Sequence, residues 1–318
     1  MSNVCVTGGA GFVGSNLVRK LLSDGHKVVV VDDLSTGLMT NLDGLPIKFL
    51  EASVTDIGKI EREISNSDVI FHLAARGSVP RSLTNPIATH QVNANGTLNM
   101  LECARKIGAH IIISSSSSVY GRNNSLPKTE EMWVSPLTPY AASKLSAEAY
   151  AQAYSASYAT KVSLFRFFNI FGPFQRPDHQ YSAVIPKWIW AGISGQSIQI
   201  QGDGTQTRDF TYIDTVVDVL VDCMNEKKYT DTLINLAFGN RISLNEVINE
   251  LKKYEPNLQL EYAPTRLGDV KDSQNSPKVV SEIFPKVLPV PFKDAFRVTY
   301  SWLKEYGNSI VGGPTIID

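Results

Sequence analysis

Short apolar runs alternate along the first half of the chain with stretches in which apolar residues recur every three or four positions. Residues 4–7 and 27–31 are apolar runs, and residues 17–22 between them place leucines and valines on one helical face. The runs predict buried strands, and the periodic stretch predicts an amphipathic helix. Gly25 stands where a helix ends in the left-handed conformation. The order strand, helix, strand predicts a βαβ unit.

The alternation continues through most of the chain. Further strands are predicted at residues 48–51, 69–75, 110–113, 161–168 and 232–237, and further helices at residues 92–106, 139–154, 211–224, 245–254 and 292–304. Strands separated by helical stretches are typical of parallel sheets that are covered on both sides. We therefore expect an α/β fold with a doubly wound parallel sheet, the Rossmann arrangement.

The composition changes after residue 168. Prolines and glycines interrupt residues 171–204, which predicts a second, smaller α/β domain that covers a substrate. The expected domains are a dinucleotide-binding domain of residues 1–168 plus about 211–238, and a substrate-binding domain of residues 169–210 plus 239–318.

Three glycines, Gly8, Gly11 and Gly14, follow the first strand with G-x-x-G-x-x-G spacing and lead into the helix. At such a turn bare backbone approaches a pyrophosphate, and the N–H groups of the helix N-terminus bind it. Asp32 ends the next strand, where a carboxylate accepts hydrogen bonds from ribose hydroxyls and repels a 2′-phosphate. The combination indicates a dinucleotide site that prefers NAD to NADP. The alternative interpretation of Asp32 is an acid that only forms a turn.

Tyr140 and Lys144 are four residues apart, so in a helix their side chains lie on one face, one turn apart. This pair indicates acid–base chemistry. Thr138 suits the N-cap of this helix and Pro139 its first turn. A nearby ammonium favours the phenolate and lowers the tyrosine pKa, so the pair can form a general base. The alternative is a solvated surface pair. Five serines (residues 114–118) follow a buried strand upstream, at the strand end where parallel sheets bind ligands.

Composition and charge limit the function. The 318 residues are 43% hydrophobic and 19% charged with a formal net charge of −1, which is ordinary for a globular protein and predicts no nucleic-acid partner. We find no signal peptide and no bilayer-spanning segment, and therefore expect a cytoplasmic protein without a membrane partner. Cys5, Cys103 and Cys223 are far apart in apolar surroundings, which predicts reduced, buried thiols and no metal site. His72, at a strand end, is interpreted as a packing residue.

A series of short motifs runs along the chain in a recognisable order. They comprise residues 7–14, 32–34, 56, 72–75, 93–97, 117–121, Tyr140 with Lys144, 166–169, 202–204, 208–210, and Arg266 with Asp269. Together they resemble the extended short-chain dehydrogenase/reductase family, and within it the NAD-dependent nucleotide-sugar 4-epimerases, over essentially the whole chain. The resemblance implies a tightly bound NAD that is recycled in each turnover and a UDP-sugar substrate in the second domain.

The resemblance also implies roles for individual residues. Tyr140 is the base and acid at the sugar hydroxyl, Lys144 holds the nicotinamide ribose, and Ser116 stands at the position of the catalytic serine or threonine. The residues implied in NAD binding are Gly8, Gly11, Phe12, Val13, Gly14, Asp32, Asp33, Asp56, Ile57, Leu73, Ala74, Ala75, Ser114, Tyr140, Lys144 and Phe168. Those implied in substrate binding are Arg81, Ser116, Ser117, Asn169, Ala183, Val184, Lys187, Arg208, Arg266, Asp269 and Ser273.

Two serines bear on the subfamily. Sugar 4,6-dehydratases resemble this chain but carry an acidic pair where Ser117 and Ser118 stand, and those carboxyl groups serve the elimination of water. Without them, what remains is oxidation and re-reduction at one carbon, which is epimerisation at C4. A 4,6-dehydratase or a UDP-glucuronate 4-epimerase of the same family is the alternative.

The expected sugar is N-acetylated. Asn169 is similar to the residue of both the galactose and the N-acetylhexosamine epimerases, and residues 78–82 and 182–188 resemble the branch that prefers N-acetylated sugars. Ser273 is a small residue at a position where galactose-restricted enzymes of the family carry a tyrosine. By this resemblance, the small side chain leaves room for a 2-N-acetyl group. We expect UDP-N-acetylglucosamine and UDP-N-acetylgalactosamine as substrates, with UDP-glucose and UDP-galactose tolerated. Arg76 departs from its relatives, which carry an uncharged residue, and is expected near the nicotinamide.

Related enzymes form homodimers through a four-helix bundle, and the resemblance implies the same for the helices of Asn93 and Tyr140. Met100, Tyr150 and Tyr154 are compatible with apolar outer faces on these helices.

Overall fold

The computed structural model describes residues 1–178, 183–229, 233–264 and 271–311. Its strands are β1 (Asn3–Thr7), β2 (Lys27–Asp32), β3 (Lys48–Glu51), β4 (Val69–His72), β5 (His110–Ser116), β6 (Val162–Phe167), β7 (Asn169–Phe171), β8 (Ile198–Gln201), β9 (Thr207–Arg208), β10 (Phe210–Tyr212), β11 (Leu233–Leu236), β12 (Ile242–Ser243) and β13 (Leu260–Ala263). Seven of them form one sheet in the order β11-β6-β5-β4-β1-β2-β3. All neighbours in this sheet are parallel.

The helices cover both faces of the sheet. They are α1 (Phe12–Ser23), α2 (Ile57–Ile60), α3 (Val79–Thr84), α4 (Pro86–His90), α5 (Gly96–Ile107), α6 (Pro139–Tyr158), α7 (Val184–Ile193), α8 (Ile213–Asn225), α9 (Leu244–Leu251), α10 (Lys278–Ile283) and α11 (Phe292–Ile310). α1 and α8 pack on one face and α5 and α6 on the other. Because successive strand residues point to opposite faces, the continuous apolar strands serve both cores. The predicted doubly wound α/β fold is confirmed.

The strand order places a switch point at the centre of the sheet. β1 pairs with β2 on one side and β4 on the other, so the chain proceeds outward in opposite directions from this strand. Crevices that bind ligands open beyond the carboxyl ends of strands at such a point. The glycine turn, the end of β4 and the serine run of β5 all lie at this edge.

The second half of the chain adds three small sheets beside the main one. β7 pairs with β10 and β8 with β13 in parallel, whereas β9 pairs with β12 antiparallel. One apolar core runs from α1 and α8 through α7 and α9 to α11. The division into two domains at the predicted boundaries stays a prediction.

Several local predictions are confirmed. Thr138 caps α6 and Pro139 is in its first turn. Gly25 has a φ of +82° after α1. β11 joins the main sheet beside β6, as the apolar run at residues 232–237 predicted, although Thr232 lies outside the described residues.

Other boundaries differ from the prediction. The helix expected over residues 211–224 begins only at Ile213, because Phe210–Tyr212 are strand-forming residues that pair with β7. The helix expected from residue 92 starts as a π-helical turn, Gln91–Asn95, before α5. The interrupted segment 171–204 still contains α7, since Pro186 falls in the first turn, where proline is tolerated.

Cys5, Cys103 and Cys223 are free and buried, as predicted. In the described ranges we find no helix with the length and apolar character needed to cross a bilayer. No cluster of potential metal ligands occurs among the same residues.

Candidate active site

The helix α6 presents Tyr140 and Lys144 to the carboxyl edge of the sheet. Its first turn is fixed by Thr138, whose side-chain oxygen accepts a hydrogen bond of 3.2 Å from the Ala141 N–H. The Lys144 ammonium donates a hydrogen bond of 2.9 Å to the carbonyl oxygen of Ser114 at the end of β5. Both side chains line a cavity, so the expected one-face arrangement is present and a solvated surface pair is excluded.

This cavity has a volume of about 610 Å³ and runs from the glycine turn to α6. A second cavity of about 320 Å³ lies against it, and the two share Ser78, Asn169, Ile170 and Ala183. A third, small cavity of about 90 Å³ opens at the end of β2 beside Asp32 and Asp33. The sequence-predicted residues that line these cavities are Gly8, Gly11, Phe12, Val13, Gly14, Asp32, Asp33, Leu73, Ala74, Ala75, Arg81, Ser114, Ser116, Tyr140, Lys144, Phe168, Asn169, Ala183, Val184, Lys187 and Arg208.

The glycine turn has the close backbone packing that a dinucleotide site needs. A Cβ added at Gly14 would lie 2.1 Å from the carbonyl oxygen of Gly8, and one added at Gly8 would lie 2.7 Å from the Ala74 nitrogen. The Asp32 carboxylate holds this turn, accepting hydrogen bonds of 2.9 Å from the N–H groups of Ala10 and Leu34. Each of its oxygens keeps further acceptor capacity, so a role for Asp32 toward ribose hydroxyls stays compatible with its structural contacts.

The Tyr140 hydroxyl hydrogen-bonds to Ser116. Burial raises the pKa of Tyr140, and the Ser116 contact opposes that rise. The sequence led us to expect a pKa lowered by Lys144, and that expectation is wrong for the protein alone. The reason is that burial disfavours the phenolate while the Lys144 ammonium is bonded to the strand. Burial also lowers the pKa of Lys144, to about 8.

His72 has a structural position at the end of β4, as predicted. Its two ring nitrogens lie 2.8 Å from the Thr7 hydroxyl and 3.0 Å from the Thr97 hydroxyl. Burial, with the Lys144 charge second, lowers the pKa of His72 to about 3. The imidazole is therefore neutral and fully engaged near neutral pH.

Cations line the two larger cavities. They are Arg81, Lys144 and Arg176 in the first and Lys187 and Arg208 in the second. Arg176 forms a two-bond pair with Asp178, which lies outside the lining. Among the described residues that line either cavity there is neither Asp nor Glu. The field favours ligands with several negative charges, such as diphosphates.

A model of the NAD dependent epimerase/dehydratase family matches residues 4–237. The chain belongs to this family. It is an NAD-dependent enzyme of the extended short-chain dehydrogenase/reductase type.

Three relatives illustrate the range of the NAD dependent epimerase/dehydratase family around this chain. The UDP-glucose 4-epimerase of Mycolicibacterium smegmatis is 36% identical over 282 residues, covering 85% of this chain and 88% of the relative. A structure of the UDP-N-acetylglucosamine 4-epimerase from Methanobrevibacter ruminantium M1, in complex with UDP-N-acetylmuramic acid, is 34% identical with a TM-score of 0.90, covering 96% and 98% of the two chains. An NAD-dependent NDP-hexosamine 5,6-dehydratase of tunicamycin biosynthesis is 32% identical with a TM-score of 0.87, covering 95% and 97%.

Some predicted site residues of this family member lie elsewhere. Asp56, Ile57, Ser117 and Ser273 do not line any of the three cavities. Asp56 instead pairs with Lys59 at 3.2 Å. Arg266 and Asp269, and Ser182 in the segment 182–188, lie outside the described residues.

Arg76, which was expected near the nicotinamide, does not line the cavity that contains Tyr140 and Lys144. It lines the small cavity at the end of β2, with Asp32 and Asp33. Its backbone is held by Asn93, whose side-chain oxygen accepts from the Arg76 N–H at 2.8 Å and whose amide donates to Ser143 at 2.9 Å. The π-helical turn that carries Asn93 therefore joins the Arg76 loop to α6.

Sequence reasoning missed part of the cavity lining. The polar residues it missed include Thr36, Asn41, Ser78, Ser115, Gln175, Arg176, Gln199, Gln201 and Gln206. For Gln199 and Gln201 a signal was available, because they alternate with buried Ile198 and Ile200 in the period of a strand.

Proposed function

We propose that this enzyme epimerises C4 of a UDP-hexose through a transient 4-keto sugar. The observation that carries the proposal is the composition of the two joined cavities. Ser116, Tyr140 and Lys144 line the larger cavity, Lys187 and Arg208 line the smaller one, and neither has a carboxylate among its described lining residues. Proton transfer at one hydroxyl is provided for, whereas the additional acid and base of an elimination are not.

The protein groups divide the work at C4. Tyr140 takes the 4-hydroxyl proton and later returns it, and Ser116 holds the phenol oxygen through its hydrogen bond. Lys144, fixed by the Ser114 carbonyl, binds the nicotinamide ribose and adds positive charge beside the phenol. NAD, when bound, supplies the acceptor of the C4 hydride and its donor to the opposite face of the sugar.

Lys187 and Arg208 favour the nucleotide diphosphate in the smaller of the two joined cavities. Arg208 is oriented by hydrogen bonds of 2.9 Å and 3.0 Å to the carbonyl oxygens of Thr207 and Lys271. We propose UDP as the nucleotide, with Arg266 and Asp269 as further contacts carried over from the family.

An N-acetylhexosamine is the proposed sugar. The support is the similarity of nearly the whole chain to a UDP-N-acetylglucosamine 4-epimerase, and Asn169, which lines both cavities, is compatible with it. Ser273 lines neither cavity, so it no longer supports this preference. UDP-glucose and UDP-galactose are proposed as slower substrates.

The test is incubation of the purified enzyme with UDP-N-acetylglucosamine, UDP-glucose and UDP-glucuronate, followed by separation of the C4 isomers and mass spectrometry. We expect a C4 isomer of unchanged mass from the N-acetylated sugar, without added cofactor. A product lighter by one water would establish a dehydratase instead. Conversion of UDP-glucuronate alone would establish the sugar-acid epimerase.

A homodimer through α5 and α6 is also proposed. Tyr150 and Tyr158 on α6 are 44% and 57% exposed, which supports an apolar outer face. Two expected contributors are corrected: Met100 is fully buried in the core, and Tyr154 is largely buried with its hydroxyl donating to Glu102 at 2.6 Å. Light scattering of the parent and a Tyr150→Glu variant tests this state. The buried free thiols support a cytoplasmic location, which stays a prediction.

A further inference from the structure

Glu148 and Arg166 form a buried ion pair behind the catalytic residues. The Arg166 Nε and Nη2 donate hydrogen bonds of 2.9 Å and 2.7 Å to the two Glu148 oxygens. The Arg166 side chain is 5% exposed and the Glu148 side chain is 4% exposed. The Tyr120 ring covers the guanidinium, with its centroid 4.7 Å from the Arg166 Cζ. Charges enclosed in this way act on their neighbours more strongly than charges in water do.

The same carboxylate reaches the strand that carries the active-site serines. Ser115 donates a hydrogen bond of 2.5 Å to the Glu148 Oε1, and Ser115 is the register partner of Arg166 between β5 and β6. The neighbours of Ser115 in the strand contact Lys144 and Tyr140. Glu148 therefore joins α6, β5 and β6 at the point where the catalytic groups meet.

Glu148 is one turn beyond Lys144 on α6, just as Lys144 is one turn beyond Tyr140. Residues at this spacing are neighbours on a helix. Burial lowers the pKa of Lys144 to about 8, and the Glu148 charge opposes that change. Without the carboxylate, Lys144 would lose its proton at a lower pH still.

We propose that Glu148 is a positioning residue of the catalytic unit: its carboxylate keeps the Lys144 ammonium charged, and Arg166 sets how much of that negative charge Lys144 experiences. This proposal rests on the assignment of Tyr140 and Lys144 as catalytic residues.

Other groups around Lys144 do not supply this charge. The described ionisable groups that face it or share its cavity are Tyr140, His72, Arg81, Arg176, Arg166 and Glu148. His72 is neutral near pH 7 because burial lowers its pKa to about 3. Burial likewise raises the pKa of Tyr140 and keeps the phenol protonated. Of the groups named, Glu148 is therefore the anion.

A purely structural ion pair would behave differently from one that tunes Lys144. Loss of either partner of a structural pair destabilises the protein, because it leaves a buried charge without its partner. It does not change the pH at which Lys144 titrates. In the proposed role, the loss of Glu148 and the loss of Arg166 shift the titration midpoint of Lys144 in opposite directions. Removing the negative charge makes Lys144 lose its proton at lower pH, whereas removing the positive charge makes it keep the proton to higher pH.

The experiment measures Lys144 directly, by the pH titration of its ¹³Cε resonance in NAD-loaded protein without substrate. A Lys144→Arg variant identifies the resonance. We expect Glu148→Gln to lower the titration midpoint by about one pH unit, Arg166→Met to raise it, and the double variant to fall between Glu148→Gln and the parent. The alkaline limb of kcat/KM should shift in the same order.

Ser115→Ala is the matched control, because it removes a hydrogen bond to Glu148 and leaves every charge in place. It should leave the Lys144 midpoint where the parent has it. An unchanged midpoint in Glu148→Gln, or an equal shift in Ser115→Ala, overturns the proposal. If Arg166→Met does not fold, the Lys144 midpoint of the double variant, which leaves no unpaired charge, still tests the role of Arg166. Because the titration needs no turnover, it is independent of which reaction the enzyme catalyses.

Discussion

The Lys144 ammonium donates its 2.9 Å hydrogen bond to the Ser114 carbonyl from a buried position, where its pKa is lowered to about 8. A lysine in the unfolded chain titrates near 10.4. Between these values the unfolded chain binds the proton and the folded chain does not, so the stability of the protein rises with pH in this window. Below pH 8 the buried charge opposes folding by up to about 3 kcal/mol.

Lys144→Met should therefore stabilise the NAD-free protein at pH 7 by about 1–3 kcal/mol, after the loss of one hydrogen bond of about 1 kcal/mol. The advantage should shrink as the pH rises from 8 to 10, because the parent lysine then becomes neutral in the folded state. Urea unfolding of the parent and the variant at pH 7 and at pH 10 measures this difference in stability. The exposed Lys187 provides the control, since Lys187→Met should change stability little. A less stable Lys144→Met protein at pH 7 would contradict the prediction.

Tyr140→Phe should lose about 10²–10⁴-fold in turnover, the usual contribution of a positioned general base. The variant should retain its NAD, because the glycine turn and the cavity around it are unchanged. Turnover is measured by the formation of the C4 isomer, and NAD by its absorbance after denaturation of the protein. An activity within tenfold of the parent would remove Tyr140 from the chemistry.

Gly14→Ala should abolish NAD retention and lower the thermal midpoint. The added Cβ would stand 2.1 Å from the Gly8 oxygen and 2.6 Å from the Gly9 Cα, so the turn must open. Gly58→Ala is the matched control: its Cβ would meet nothing closer than 3.9 Å, and alanine favours the helix α2 by up to about 1 kcal/mol. NAD content and thermal unfolding of the two variants should separate clearly; equal NAD content would refute the close-packing argument.

Arg76→Leu should weaken the binding of AMP to NAD-free protein several-fold and leave that of nicotinamide mononucleotide unchanged. Arg76 lines the small cavity at the end of β2, and its Nε is buried without a hydrogen-bond partner in the described structure. A planar guanidinium there can stack on the base or donate to it. Calorimetry with the two ligands checks this, with Lys59→Leu as the control, because Lys59 is an exposed cation that lines none of the three cavities. Equal losses for both mononucleotides would exclude a local contact.

The parts of the site that could be predicted from sequence are those set by local spacing. Tyr140 and Lys144 share a face because a helix repeats every three to four residues. Thr138 and Pro139 indicate where that helix begins. The glycine turn likewise lies between one strand and one helix that are adjacent in the chain.

The parts that could not be predicted depend on what packs around a residue. The pKa of Tyr140 is set by burial, which no spacing reveals, and the expectation from Lys144 alone had the wrong sign. Met100 fits an outer face by its chemistry but is buried because α5 turns it toward the sheet. The pairing of Glu148 with Arg166 requires α6, β5 and β6 to meet, which only the folded chain brings about.

The scarcity of carboxylates in the joined cavities has a practical consequence for measurements on this enzyme. A chamber lined by Arg81, Lys187 and Arg208 attracts sulfate, phosphate and pyrophosphate as well as nucleotide sugars. Mobile ions also weaken long-range attraction, over a screening distance of about 8 Å at physiological ionic strength. Assays in concentrated phosphate buffer will therefore understate the affinity for substrate, and dilute zwitterionic buffers are the proper medium for comparing sugars.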